Sequence, residues 1–188
     1  MKKLPISQDS PEWHKWRKTV LGGTDASIIM GVSPYCKIDL LRLRKLGLAP
    51  EQEVNEYMRR GKNLEDIARK KFCEGTGIFM EPACIESSEY PFLGCSLDGI
   101  SPCGKYILEI KVNGEKNHKL AKKGKIPKLY EIQCQKNILV SEAEKCYYFS
   151  YFSDDDAVCI EVLPDPIFKE EYLPKAEEFW MSYIFYKE

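Results

Sequence analysis

The chain has 188 residues, 44% of them hydrophobic and 30% charged, and a formal net charge of −1. That is room for one domain with a real core, and the ordinary composition excludes disorder, fibrous repeats and a polycation. No apolar run approaches the ~18 residues of a membrane span, and no secretory apolar stretch follows Met-Lys-Lys-Leu-Pro, so a cytoplasmic protein without a membrane partner is expected.

Ser10-Pro11-Glu12 reads as an N-cap with proline at the first helical position, which predicts a short helix to about Lys18. Gly22-Gly23 interrupt the chain, and Thr24 is the expected cap of a second short helix, Asp25 to Met30. A third helix covers Ile38 to Leu46 and stops at Gly47. Val54 to Glu74 predicts a longer one, with Met58, Ile67, Ala68 and Phe72 as apolar contacts and Gly75 and Gly77 ending it. Strands are expected at Ile78 to Ile85, Phe92 to Ser96 and Tyr106 to Val112, with Asp98-Gly99 and Pro102-Cys103-Gly104 as turns. A helix from Lys128 to Val140, strands Lys145 to Phe152 and Ala157 to Leu163, and a final helix from Pro166 to about Tyr186 complete the series. Together they predict a single mixed α/β domain over 1–188 with a small central sheet.

Charge is unevenly placed. From Asp154 to Glu188 there are ten acids and three bases, a local charge of −7, so the preceding residues carry +6. Six lysines and no acid fall between Lys116 and Lys128. A basic surface facing a polyanion fits this division, and so does a solvated lysine-rich loop. Eight cysteines are dispersed with no two three apart, so the Cys-x-x-Cys zinc pattern is absent. They read as small buried thiols, Cys95 and Cys103 being a weak candidate pair across a turn.

The strand Tyr106 to Val112 holds the chemistry. By period two, Tyr106, Leu108, Ile110 and Val112 form a core face, and Ile107, Glu109 and Lys111 share the other. Alone, Glu109 and Lys111 read as a surface ion pair. Asp98 lies upstream, and a hairpin would return it beside Glu109. Two carboxylates converging next to a lysine repel one another without a cation, and such hard oxygen donors suit Mg²⁺ or Mn²⁺. A cation there polarises a phosphodiester, and the lysine orients water or stabilises charge on the phosphate. Further upstream, Arg17 and the turn Thr24 to Ser27 combine a guanidinium with a helix start, a natural phosphate seat. Trp13 and Trp16, three apart, read as core or interface residues. His14 and His118 are candidate phosphate contacts only.

The spacing Asp-x(10)-Glu-x-Lys resembles the PD-(D/E)XK nuclease superfamily. Five segments in order sharpen the likeness: Trp13-His14-Lys15-Trp16-Arg17 with Gly23-Thr24-Asp25-Ala26-Ser27; Gly61 to Arg69; Ser96-Leu97-Asp98-Gly99; Leu108-Glu109-Ile110-Lys111; and Tyr130 to Gln135. Together they resemble the lambda exonuclease and YqaJ-like viral recombinase family. The resemblance implies a restriction-endonuclease-like core, with a DNA-end-binding helical part at about 10–75, a catalytic sheet at about 76–163 and a terminal helix at about 166–186. It implies that Asp98, Glu109 and the Ile110 carbonyl hold metal, and that Lys111 positions the attacking water. Glu65 would serve a second ion, or else pair with Arg69 at i+4. Gln133, with Gln135 as a less favoured substitute, would hold the nucleophile or the phosphate, and Tyr130 would pack beneath the site or touch DNA. Arg17 and Ser27, with Thr24 beside them and Ser96 as a third group, would grip a 5′ phosphate. The family's further basic ligand falls at Asn117 here, and Lys116 or Lys119 would have to replace it.

The implied activity is a Mg²⁺-dependent exonuclease, with Mn²⁺ as substitute and two ions per site. It would digest double-stranded DNA ends 5′ to 3′ and leave 3′ overhangs for recombination. The implied partners are duplex ends, a single-strand annealing protein and further copies in a trimeric ring. The competing readings are a related endonuclease or repair nuclease of other polarity, and a DNA-end binder that does not cut. The dispersed cysteines argue against the iron–sulfur branches of the superfamily.

Overall fold

Residues 1–50 and 53–187 are described by the computed structural model. The chain opens with a three-residue strand, β1 (Lys2–Leu4), too short to be read from its sequence. Helix α1 (Pro11–Lys18) starts where the Ser10 hydroxyl accepts the Trp13 N–H at 3.1 Å. Its two tryptophans are buried against Val20 and Cys84. Helix α2 (Gly23–Ile29) is capped at Gly22 and not at Thr24, which lies exposed inside its first turn. The reason is Asp25: its carboxylate accepts the Gly22 N–H at 2.7 Å and so does the capping from three residues ahead. Asp25 is itself buried and paired with Lys45 at 2.7 Å, at the end of α3 (Ile38–Lys45).

Helix α4 (Glu56–Thr76) begins at its Asn55 cap and runs through Gly75. It stops at Gly77, whose φ of 71° is a left-handed conformation that glycine adopts freely. Ala68 and Phe72 are buried as expected, but Met58 and Ile67 are exposed.

Next come β2 (Glu81–Glu86), β3 (Gly94–Ile100) and β4 (Tyr106–Val112), then α5 (Glu115–Ala121) and α6 (Lys128–Ser141), then β5 (Lys145–Ser153), β6 (Asp156–Val162) and α7 (Pro166–Lys187). The six strands lie side by side in chain order, antiparallel except for β4 and β5. A parallel pair needs a long crossover, and α5 and α6 supply it. The larger core lies between one sheet face and α2, α6 and α7, while α4 covers β3 and β4 from the other side.

Three expectations change here. Asp98 and Gly99 form no turn: β3 continues to Ile100, and the reversal falls at Ser101 to Lys105 with Gly104 at φ 74°. Gly99 marks a close approach instead, since a Cβ there would lie 2.8 Å from Met80 Cβ and 3.1 Å from Leu108 Cβ. The lysine-rich segment begins as helix α5, anchored by buried His118, which meets Ser150 Oγ at 2.8 Å and Asp156 Oδ1 at 3.0 Å. His118 is therefore a packing residue, not a phosphate contact. Cys95 is buried, Cys103 is exposed, and both are free thiols.

Candidate active site

Strands β3 and β4 are paired only at Gly99 with Leu108 and Ile100 with Ile107. One step further they part, and the next two residues across the gap are Asp98 and Glu109. In place of a ladder bond, the Asp98 carboxylate accepts the Ile110 N–H at 2.6 Å. A strand residue directs its N–H and C=O to the same edge, so the Ile110 carbonyl faces that gap too. The splayed hairpin thus gathers two carboxylates and a carbonyl where the sheet opens.

Glu109 is 1% exposed. Its strand face is not the half-exposed one its alternation suggested: α6 lies across it and both faces of β4 are covered. Charged groups survive there because each is bonded. Lys111 Nζ donates to Glu109 Oε1 at 2.5 Å, Gln133 Nε2 to the same oxygen at 2.7 Å, and Asn137 Nδ2 to Oε2 at 3.0 Å. The Lys111 ammonium also sits 5.0 Å from the centre of the Tyr130 ring, a cation–π contact that holds it over α6.

Burial, then the charges of Glu109 and Glu65, hold Asp98 well above the usual carboxylate range. Burial alone would depress Lys111, but Glu109 and Asp98 outweigh it and keep its ammonium above the ordinary value. Lys111 is thus held as a cation and hydrogen-bond donor to Glu109.

Glu65 lies near these acids but is turned to Arg69, Nη2 to Oε1 at 2.8 Å, the i+4 ion pair that was the alternative reading. Arg69 also donates to the Asp98 carbonyl at 2.5 Å and so fixes β3 to α4. Burial, with Asp66 and Glu109, keeps Glu65 above its ordinary value despite Arg69. Among the described residues no three His, Cys, Asp or Glu side chains converge as a metal cage. The donor set is two carboxylates and a carbonyl. That set fits Mg²⁺, which takes one or two protein carboxylates and leaves its other positions to water and substrate phosphate. Asp98, raised first by burial and then by the charges of Glu109 and Glu65, is a group that a cation beside it would return to its ionised form.

The phosphate candidates are spread more widely. Arg17 stacks over the Trp13 ring at 4.5 Å, and Trp13 Nε1 donates to Ser96 Oγ at 2.7 Å. Ser96 is two residues from Asp98 on β3. Arg17 and Ser96 are thereby tied to the carboxylate edge. Ser27 is 5% exposed and its hydroxyl donates to the Thr24 carbonyl at 2.9 Å, which is intrahelical bonding. Lys116 and Lys119 are exposed on α5, Lys119 pairing with Glu115 at 2.6 Å. Gln135 points elsewhere, donating to the Leu163 carbonyl and accepting from Asp165 N–H.

Asn137 and Lys136 were not singled out from the sequence. Asn137 carried a signal, since it stands four residues after Gln133 and so on the same helical face. Lys136 carried none: a lysine with no exposed surface, donating to the Gly94 carbonyl, cannot be told from a solvated helix lysine by pattern.

The mixed sheet, the parallel crossover and the acids on splayed strands define a restriction-endonuclease-like α/β chain. A family description, the YqaJ-like viral recombinase domain, matches residues 12–144, and the chain belongs to that family. It is 32% identical over 189 residues to the uncharacterized protein YqaJ of Bacillus subtilis (strain 168), covering 95% of this chain and 57% of that protein. A protein of Acanthamoeba polyphaga mimivirus is 27% identical over 172 residues, which is 82% of this chain and 31% of that one. The chain thus spans little more than half of one curated relative and under a third of the other. Among solved structures, an alkaline exonuclease from Laribacter hongkongensis superposes with a TM-score of 0.79 at 23% identity, over 93% of this chain and 92% of that one. A phage related exonuclease from Haemophilus somnus 129PT gives 0.65 at 16% identity, over 90% and 96%. At such identities these likenesses concern the fold.

Proposed function

We propose that the chain is a divalent-metal-dependent deoxyribonuclease that digests double-stranded DNA from its ends, 5′ to 3′, and leaves 3′ single strands for recombination by annealing. The observation that carries the reading is the opposition of Asp98 and Glu109 across the parting of β3 and β4, with Lys111 bonded to one of them. Family membership and the exonuclease neighbours support the same class of activity.

Asp98, Glu109 and the Ile110 carbonyl hold the ion, Mg²⁺ with Mn²⁺ as substitute. When bound, it supplies Lewis-acid polarisation of the scissile phosphate. Lys111 remains protonated, orients the attacking water and donates to the phosphate as its negative charge grows. Gln133 fixes the carboxylate to which Lys111 is bonded. Arg17 and Ser96 receive the terminal phosphate, with Thr24 and Ser27 at the edge of that surface, and Lys116 and Lys119 follow the backbone of the duplex. Glu65, held by Arg69, acts on the site through charge. A single-strand annealing protein and further copies of the chain, in a ring around the duplex, complete the working assembly.

The test uses linear duplexes labelled at one end and carrying either a 5′ phosphate or a 5′ hydroxyl. With Mg²⁺ the protein releases nucleotides from the 5′ end, faster from the phosphorylated substrate, and EDTA stops it. Asp98→Ala and Lys111→Ala bind the duplex without cutting, and binding of all three weakens as salt rises because phosphate contacts release counterions. Cleavage by the two variants at the wild-type rate refutes the assigned site. Release from the 3′ end refutes the polarity alone.

A further inference from the structure

Glu109 is held at both oxygens, but unequally. Among the described residues, Oε1 accepts from Lys111 and from Gln133, while Oε2 accepts only from Asn137. A carboxylate oxygen offers two lone pairs, so Oε1 is saturated and Oε2 keeps one. Asn137 is 1% exposed, one helical turn beyond Gln133, and the two amides face β4 together.

An asparagine is a costly residue to bury here. Its Oδ1 is buried without a hydrogen-bond partner among the described residues, and an unmet buried acceptor opposes folding. An apolar residue there would carry no such penalty, so the contact with Glu109 is what explains the residue type. That Oδ1 is pressed against Gly23: a Cβ there would lie 2.8 Å from Asn137 Oδ1 and 3.2 Å from Gln133 Cγ. The missing side chain at Gly23 lets α2 back the two amides against Glu109.

We infer that Asn137, backed by Gly23, is a positioning residue: it keeps Glu109 turned so that the remaining lone pair of Oε2 is offered to the divalent ion. The inference rests on the metal-dependent reading above. Groups that orient a metal-binding carboxylate typically change metal affinity 10–100-fold when removed.

The experiment follows thermal unfolding of the whole chain, without DNA, through a Mn²⁺ titration, for wild type, Asn137→Leu and Gly23→Ala. Wild type melts higher as Mn²⁺ is added. Asn137→Leu needs about 10–100-fold more Mn²⁺ than wild type for half its rise, whatever its metal-free melting temperature. Gly23→Ala moves the midpoint in the same direction with every donor retained. If Asn137→Leu does not fold, Gly23→Ala decides. Wild-type midpoints in the folded variants overturn the positioning role and leave the nuclease reading standing. A wild type that gains nothing from Mn²⁺ overturns the metal-dependent reading and this inference with it.

Discussion

Replacing Lys136 by methionine takes a positive charge out of the middle of α6 while nearly conserving volume. The ammonium has no exposed surface and donates to the Gly94 carbonyl. Burial, helped by repulsion from Lys45 and Arg17 and opposed by Cys95 and Asp25, lowers its pKa from 10.5 to about 8. Because the folded value lies below the unfolded one, the unfolded chain binds more protons between those two pH values. Stability due to this group therefore rises with pH across that window. The full gain from about 8 to 10.5 amounts to about 3 kcal/mol, of which about 2 falls below pH 10. In urea that moves the unfolding midpoint by about 1 M. Urea unfolding of wild type and Lys136→Met in EDTA, at about pH 7 and about pH 10, isolates the group, since the other titrating side chains are common to both. The methionine variant is expected to be the more stable at the lower pH, with its advantage shrinking by about 2 kcal/mol at the higher. A constant difference between the two proteins refutes the claim that Lys136 is buried as a strained cation.

Lys45 gives the opposite case, because its ammonium answers the Asp25 carboxylate at 2.7 Å and the Arg17 and Val20 carbonyls at 2.7 and 2.6 Å. Lys45→Met strands a buried charge and is expected to destabilise by about 3–5 kcal/mol, read as a loss of roughly 6–20 °C in Tm; a loss under about 2 °C counts against the pairing. Gly99→Ala forces a carbon to 2.8 Å from Met80 Cβ, so β3 must shift by about 1 Å beside Asp98. The expected cost is about 1–3 kcal/mol in unfolding experiments, with a fall in cleavage rate of about 100-fold, and wild-type rates from the variant contradict it. Asp98→Asn keeps an acceptor for the Ile110 N–H and removes the charge. Since the folded pKa of Asp98 is raised, its contribution to stability is lost as pH rises through that value, so the metal-free asparagine variant is expected to melt above wild type at neutral pH and not to respond to Mn²⁺. A variant that melts lower, or still gains from Mn²⁺, refutes this.

Much of the fold was legible because its signals are local. Ser10-Pro11, the run from Tyr106 to Val112 and the aromatic-rich run Lys145 to Phe152 each declare an element within a few residues. The acid, acid, lysine spacing, read with the strand Tyr106 to Val112, likewise pointed to the chemistry. Local signals misled where a residue serves a distant contact. Gly99 reads as a turn, but Met80 and Leu108 demand its missing side chain. Thr24 reads as a cap, but Asp25, paired with Lys45, supplies the acceptor.

The one-dimensional pattern thus gave most of the elements and the order of the motifs, and it pointed to the two acids and the lysine. Tertiary contacts alone decided that β3 and β4 part beside Asp98, that Glu65 turns to Arg69, and that Gln133 and Asn137 reach Glu109 across the α6 interface. Gln133 and Asn137 meet Glu109 across 24 and 28 residues of sequence and Asp98 meets Ile110 across 12, while Glu65 keeps its local i+4 partner. Periodicity tells which face a side chain is on, and only packing tells what meets it there.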